Sequence, residues 1–298
     1  MSETSTVVSG FGIVISVCRG TRYTGAPGAN TRNLTTLTLN GGKQWDFPSV
    51  LSLNARSLST EKSDELQEVM YLNSVTCVCI TETWFKDYMD NVSVNIPGFN
   101  CERRDRLKKR GGGVACYVSD TVLYNRLSDL DDAVHEVVWI RLQPKKLPRR
   151  FSCIIIACIY HPPDADNIMM RDYLITCIDT ILRKHPNCGI ILTGDFNQLR
   201  DGFLSTHYKY RQLVNKPTRL DAILDKIWTN MSVVYDSPEV LHQLGASDHR
   251  MVLFSPSGDP SLDTGSVQHV VTRCMGHTER VMFASALSQV RWEPLFLT

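Results

Sequence analysis

The chain has 298 residues, 43% of them hydrophobic, and 32 basic against 31 acidic side chains leave a formal net charge of +1. This is apolar content enough for a real core and length enough for one large or two ordinary domains, while the balanced charge excludes a histone-like polyanion binder and confines any nucleic-acid affinity to local patches. The ten cysteines include no Cys-x-x-Cys pair, which argues against a zinc or thioredoxin-type site; Cys77, Cys79, Cys116, Cys153 and Cys158 lie in apolar strand-like runs, where Cys packs as a small hydrophobe, and a reducing intracellular compartment is expected.

Residues 1 to about 46 are rich in Gly, Thr, Ser and Asn and read as a poorly ordered leader. The apolar run at 11–18 is shorter than the ~20 residues a bilayer requires, and Glu3 ahead of it, with no basic stretch, argues against a signal peptide. No membrane association is expected, and the sequons at Asn33, Asn91 and Asn230 are expected to stay unglycosylated.

The run 50–53 is predicted to be a buried strand, and it ends on Asn54-Ala55-Arg56. A helix is predicted over 62–71, with Leu66, Val69 and Met70 on one face. A second strand at 75–80 leads into Thr81-Glu82-Thr83-Trp84, so a carboxylate stands at a strand end beside an indole. The basic run Arg103-Arg104-Asp105-Arg106-Leu107-Lys108-Lys109-Arg110 then meets Gly111-Gly112-Gly113 and a strand at 114–118. Such a run is a solvated hairpin tip or, beside a site, a grip on a phosphate backbone. Lys145, Lys146, Arg149 and Arg150 read as a solvated turn.

Further on, a strand at 154–159 ends at Tyr160-His161-Pro162-Pro163. A longer helix is predicted over 167–184, with Met170, Tyr173, Leu174, Cys177, Ile178, Ile181 and Leu182 on its buried face. The strand 189–193 runs into Gly194-Asp195-Phe196-Asn197, where the two-residue spacing of Asp195 and Asn197 aims both side chains the same way if the chain stays extended. Ser247-Asp248-His249 precedes a last strand at 251–254. Residues 255–261 have linker composition, and 277–297 carry Val281, Met282, Ala284, Leu287 and Val290 at amphipathic-helix spacing, with Trp292 at the end.

Each of these strand ends alone is ordinary turn chemistry. Five of them bearing amide, carboxylate, phenol and imidazole groups together indicate a site for a metal or a phosphate. The alternation of strands and helices argues for an α/β layered domain. His135, His161, His185, His207, His242, His269 and His277 sit at no metal-ligand spacing.

The ordered set Asn-x-Arg, Thr-Glu-Thr-Trp, Tyr-x-Pro-Pro, Gly-Asp-Phe-Asn and Ser-Asp-His resembles the endonuclease/exonuclease/phosphatase superfamily, which includes DNase I and the apurinic endonucleases. Ser52-Leu53-Asn54-Ala55-Arg56-Ser57-Leu58, Gly111-Gly112-Gly113-Val114-Ala115, Lys216-Pro217-Thr218-Arg219 and Ile223-Leu224-Asp225-Lys226-Ile227-Trp228-Thr229-Asn230 narrow the likeness to the endonuclease domain of non-LTR (LINE-type) retrotransposon polyproteins. The likeness covers roughly residues 47–256. It implies an α/β fold of two packed mixed β-sheets flanked by helices, a four-layer sandwich with the site at one edge. In those polyproteins a reverse transcriptase follows the linker, so residues 257–298 are expected to be a linker and partial helical tail of a truncated copy.

The resemblance also implies roles. Glu82 would be the principal ligand of Mg²⁺, for which Mn²⁺ can stand in, helped by Asn54 and with Asp248 at a second metal position or its hydration shell. Asp195 would orient or deprotonate the attacking water, and Asn197 would fix that carboxylate and the scissile phosphate. His249 would donate to the phosphate with Asp225 as its partner, and Tyr160 would add a neutral hydrogen bond. Asp221, four residues earlier, competes with Asp225 for that partnership, and the match to Ile-Leu-Asp-x-Ile-x-Thr-Asn favours Asp225. Arg104, Arg106, Lys108, Lys109 and Arg110 would meet the nucleic-acid backbone.

The activity implied is a Mg²⁺-dependent DNA endonuclease leaving a 3′-hydroxyl and a 5′-phosphate, monomeric and nuclear by function. The alternatives are a phosphoesterase of phosphoinositides or other small phosphoesters, and a non-catalytic remnant that binds DNA or protein.

Overall fold

Two runs of aliphatic and β-branched residues, Cys153–Tyr160 and Cys188–Asp195, are buried at every position. Strands of that kind need cover on both faces, and the rest of the fold supplies it. The computed structural model describes residues 45–107 and 110–257, and beyond them only the backbone of four short strands. The chain divides into a unit Gln44–Asp259 and a second unit made of Met1–Lys43 and Pro260–Thr298. In the second unit, β1 (Ser5–Ser9) pairs antiparallel with β2 (Ile13–Val17), and β3 (Leu34–Thr38) with the strand His269–Arg273. The helix predicted over 277–297 lies outside the described residues.

The unit Gln44–Asp259 starts in one sheet with β4 (Val50–Asn54), β5 (Cys77–Thr81), β6 (Phe99–Arg104) and β7 (Val114–Ser119). It crosses to another with β8 (Leu123–Arg126), β9 (Glu136–Gln143), β10 (Cys153–Tyr160), β11 (Cys188–Asp195), β12 (Arg211–Gln212) and β13 (Asp225–Thr229). It then returns to the first with β14 (Glu239–Gln243) and β15 (Arg250–Phe254). The strand orders are β14-β15-β4-β5-β7-β6 and β12-β13-β11-β10-β9-β8. Both sheets are mixed: β4 with β5 and β10 with β11 are parallel, and the other pairings are antiparallel.

The period-two pleat divides each strand between two environments. Leu51, Leu53, Val78 and Ile80 face outward onto Leu66, Val69 and Met70 of α1 (Thr60–Leu72). On the opposite side, Ile155, Ala157, Ile159, Ile190 and Leu192 meet Met170, Leu174, Cys177, Ile178 and Ile181 of α2 (Asn167–Lys184), with Phe203 and Leu204 of α3 (Gly202–Tyr208). The alternate residues face the other sheet, so the order of layers is helix, sheet, sheet, helix. Each fully buried Leu or Ile contributes ~1.5–3 kcal/mol.

Both long helices begin where the sequence supplies a cap. The Ser59 hydroxyl accepts from the Lys62 amide at 3.4 Å, and the Asp166 carboxylate accepts from the amides of Ile168 at 2.6 Å and Met169 at 3.1 Å. Arg183 and Lys184 in the last turn of α2 suit the negative end of its dipole.

Candidate active site

Inward-facing positions at one edge of the sandwich carry Asn54 at the end of β4, Tyr160 and Asp195 at the ends of β10 and β11, and Asp225 at the start of β13. Register fixes their neighbourhood: Tyr160 pairs with Asp195 across parallel strands, and Asp195 with Asp225 across antiparallel ones. Glu82 follows β5 directly, and His249 precedes β15 directly.

Three polar links join the two sheets here. The Asn54 side-chain amide donates to Asp195 Oδ2 at 2.9 Å and to Glu82 Oε1 at 3.2 Å. The Tyr160 hydroxyl donates to Glu82 Oε1 at 3.0 Å. His249 Nδ1 lies 2.8 Å from Asp225 Oδ2, while Asp221 is exposed. Asp195 Oδ1 accepts from the backbone amide of Asn197 at 3.1 Å, while the Asn197 side chain donates to the His161 carbonyl at 2.9 Å.

The turns that present these groups are strained. Arg56, Ser57, Glu82, Trp84 and Asn197, each just beyond a strand end, have φ of 43°, 77°, 51°, 59° and 43°. Left-handed backbone at such residues costs on the order of 1–3 kcal/mol each and persists only where surrounding contacts over-determine it. Those contacts are present: the amides of Ser57 and Leu58 donate to the carbonyls of Glu82 and Thr83 at 2.8 and 3.0 Å, and the Trp84 amide donates to Gly112 at 3.0 Å. The Trp84 indole also donates to Glu82 Oε2 at 3.1 Å. Gly194, at φ 130°, is required because a Cβ there would stand 2.1 Å from the Ile159 carbonyl oxygen.

Electrostatics separate the titrating groups. Burial, and then the neighbouring Asp225 carboxylate, push the Asp195 carboxyl up to about 7. Burial disfavours a charged His249, but the hydrogen bond to Asp225 and its charge outweigh that and raise the imidazole above its ordinary range. Burial, with Glu82 alongside, raises the Tyr160 phenol, which stays a neutral donor.

Asp195, Asp225 and His249 offer ligand atoms within 4.8 Å of one another, and Glu82 is one hydrogen-bonded amide away from Asp195. Asp225 Oδ1 is buried with no hydrogen-bond partner. A set dominated by carboxylate oxygens with one unsatisfied buried oxygen fits a hard divalent cation.

Not every predicted residue joins this cluster. Asp248 faces away, its carboxylate held by Arg219 at 2.8 Å and by Arg56 at 3.6 Å. A bend over Asp248 and His249, just ahead of β15, buries the imidazole and leaves the Asp248 carboxylate exposed. Arg104 pairs with Asp132, and Arg106 with Glu136 at 2.5 Å, so neither guanidinium is free. Arg110 is exposed over the Trp84 ring at 5.5 Å, and Lys108 and Lys109 lie outside the described residues.

Sequence reasoning gave no role to Glu136, which holds Arg106 and also accepts from the Gly113 amide at 2.5 Å. It also missed the buried Thr218, whose hydroxyl accepts from the amides of Leu224 and Asp225 at 3.1 and 3.0 Å. The Lys216-Pro217-Thr218-Arg219 phrase held that signal.

Two mixed sheets packed face to face, with acid, amide and imidazole groups converging at one edge, define the DNase I-like fold of phosphoesterases and nucleases. The chain belongs to the Endonuclease/Exonuclease/phosphatase family, whose sequence profile matches residues 50–249. Members of this family are generally divalent-metal dependent. The fold is similar to the endonuclease domain of TRAS1, a telomere-specific non-LTR retrotransposon, with 17% identity and a TM-score of 0.54 over 70% of this chain and 98% of that one. It is also similar to an endonuclease/exonuclease/phosphatase from Bacteroides vulgatus, with 13% identity and a TM-score of 0.55 over 70% and 98%. A third similar structure is the human Nocturnin catalytic domain with a bound sulfate anion, with 15% identity and a TM-score of 0.51 over 76% and 100%. No curated protein matches by sequence. No helix among the described residues is long and apolar enough to cross a membrane.

Proposed function

We propose that the chain is a Mg²⁺-dependent DNA endonuclease that hydrolyses one phosphodiester to leave a 3′-hydroxyl and a 5′-phosphate, the target-nicking activity of a non-LTR retrotransposon. The observation that carries the reading is a buried acid and a buried imidazole with opposite tasks, held side by side. Asp195 has its carboxyl raised to about 7, and His249 is backed by Asp225 at 2.8 Å.

Phosphodiester hydrolysis needs an aligned water, a neutralised phosphate and help for the departing oxygen. Asp195 is oriented through both oxygens, by the Asn197 amide and the Asn54 side chain, and a carboxyl titrating near neutrality is matched to taking a proton from water at physiological pH. Asp225 holds His249 through Nδ1, which leaves Nε2 to donate to the phosphate oxygen where charge develops. Tyr160 adds a neutral donor. Mg²⁺, or Mn²⁺ in its place, would be held chiefly by Glu82, whose carboxylate Asn54 fixes through its side-chain NH₂, and supplies charge neutralisation when bound. Arg56 and Arg219, half-exposed and both anchored by Asp248, lie beside this edge as backbone contacts with Arg110.

The test is nicking of supercoiled plasmid. Mg²⁺-dependent conversion to open circles, stopped by EDTA and by His249→Ala, with nicks that a ligase reseals, is expected. Intact plasmid alongside rapid hydrolysis of a soluble phosphoinositide would overturn the choice of substrate, and inactivity on both would overturn the enzyme.

A further inference from the structure

The interior of the sandwich carries a second cluster one pleat below the site. Cys79 of β5 and Cys116 of β7 are cross-strand partners with sulfurs 3.9 Å apart, and Cys158 of β10 reaches them from the facing sheet. All three are fully buried, and their sulfurs lie within 4.8 Å of one another. Ser52 pairs with Cys79 across β4 and β5, and Thr193 with Cys158 across β10 and β11. Both hydroxyls are buried and without a hydrogen-bond partner. Three thiols and two unsatisfied hydroxyls therefore share one level of an otherwise apolar core, an expensive arrangement if nothing else occupies it.

We propose that Cys79, Cys116 and Cys158 form a thiolate site for one thiophilic d¹⁰ ion of the zinc, cadmium or copper(I) class, tying the two sheets together beneath the catalytic edge. Metal–sulfur bonds of about 2.3 Å put three sulfurs around one ion on a triangle with edges of about 4.0 Å; the Cys79–Cys116 edge stands at 3.9 Å and all three sulfurs lie within 4.8 Å of one another, so small side-chain shifts close the cluster on an ion. Thiolate is the ligand that soft ions prefer, and the unpartnered hydroxyls of Ser52 and Thr193, cross-strand neighbours of Cys79 and Cys158, are free to turn toward thiolates once these form. Each thiol that ligates gives its proton to solvent, so affinity rises with pH. The cluster is distinct from the oxygen-rich edge, and spacing along the sequence could not show it because its members come from three strands. Asn54 and Thr81, and Tyr160 and Asp195, are the next inward residues on four of these strands, so filling the site stiffens the floor beneath the catalytic groups.

The experiment refolds the reduced full-length chain with one equivalent of Cd²⁺ in excess Mg²⁺, which occupies the carboxylates. The expected result is a thiolate-to-cadmium charge-transfer band at one ion per chain, a sulfur-only first shell of three by X-ray absorption, and a raised Tm. Cys158→Ser and Cys79→Ser should lose the band and the Tm shift, while Cys188→Ser, outside the cluster, keeps both. No band in the wild-type protein, an oxygen-dominated shell, or a band undiminished in Cys158→Ser would overturn the proposal. The wild-type absorption arm decides even where a serine variant fails to fold.

Discussion

Replacing Asp195 by Asn should make the fold less sensitive to rising pH between about 4 and 7 while removing activity. In the folded chain Asp195 is 1% exposed and keeps its proton up to about 7, whereas the unfolded chain ionises it near 3.8. Between those values the unfolded state binds fewer protons, so folding stability falls as pH rises from about 4 to 7. At about 1.36 kcal/mol per pH unit, the full rise amounts to ~4 kcal/mol. His249, a second buried titrating group, lies beside Asp195, so the expected share of Asp195 alone is ~2 kcal/mol.

Asn at this position has no such titration, but its NH₂ must face either the Asn54 side-chain amide or the Asn197 backbone N–H, a donor facing a donor in both orientations. The prediction therefore concerns the pH trend and not stability at any single pH. Urea unfolding midpoints for both proteins at pH 5, 6, 7 and 8 should diverge in favour of Asp195→Asn by ~2 kcal/mol across that range, while nicking falls roughly 10²–10⁴-fold. Parallel pH curves would refute the account of a buried carboxylate held against its preference.

Nicking by the wild-type protein should rise through pH about 7 as Asp195 ionises and fall at higher pH as His249 loses its proton. In Asp225→Asn the falling limb should move to lower pH, and an unmoved limb would remove Asp225 from the role of partner. Glu82→Gln should raise the Mg²⁺ concentration giving half-maximal activity by ~10–100-fold, and an unchanged Mg²⁺ titration would sink its assignment as the main ligand. Gly194→Ala, which forces a methyl to 2.1 Å from the Ile159 carbonyl oxygen, should cost more than ~3 kcal/mol in urea unfolding; an unshifted midpoint contradicts the packing. Arg219→Ala should lower the slope of log K against log salt for DNA binding by about 1, and an identical slope would place Arg219 off the phosphate backbone.

Much of the fold was legible because burial and strand propensity coincide. The runs at 50–53, 75–80, 114–118, 154–159, 189–193 and 251–254 are apolar or β-branched and fall on β4, β5, β7, β10, β11 and β15. The helices predicted over 62–71 and 167–184 fall on Thr60–Leu72 and Asn167–Lys184, where Ser59 and Asp166 supply the caps. The convergence of Asn54, Glu82, Tyr160, Asp195, Asn197, Asp225 and His249 was legible through strand ends and motif order. What escaped depends on pairing partners the sequence does not announce. Glu136 has no motif of its own and enters only because β9 sets it opposite Tyr160. Asp248 was read with His249 as one string, although the bend ahead of β15 buries one and exposes the other. The thiol cluster was hidden for a related reason, since Cys79, Cys116 and Cys158 are distant in sequence and meet only through register and sheet stacking.

The three links across the sheets have a consequence for how activity is lost. Asn54, Glu82 and His249 come with one sheet, and Tyr160, Asp195 and Asp225 with the other. Neither half holds the full set by itself, so the proposed catalyst is a property of the seam. A swollen state that keeps its strands but lets the layers part would retain its far-ultraviolet circular dichroism and lose nicking together with the near-ultraviolet signal of packed aromatics. The rate of cutting is thus a gauge of how tightly the two sheets are closed.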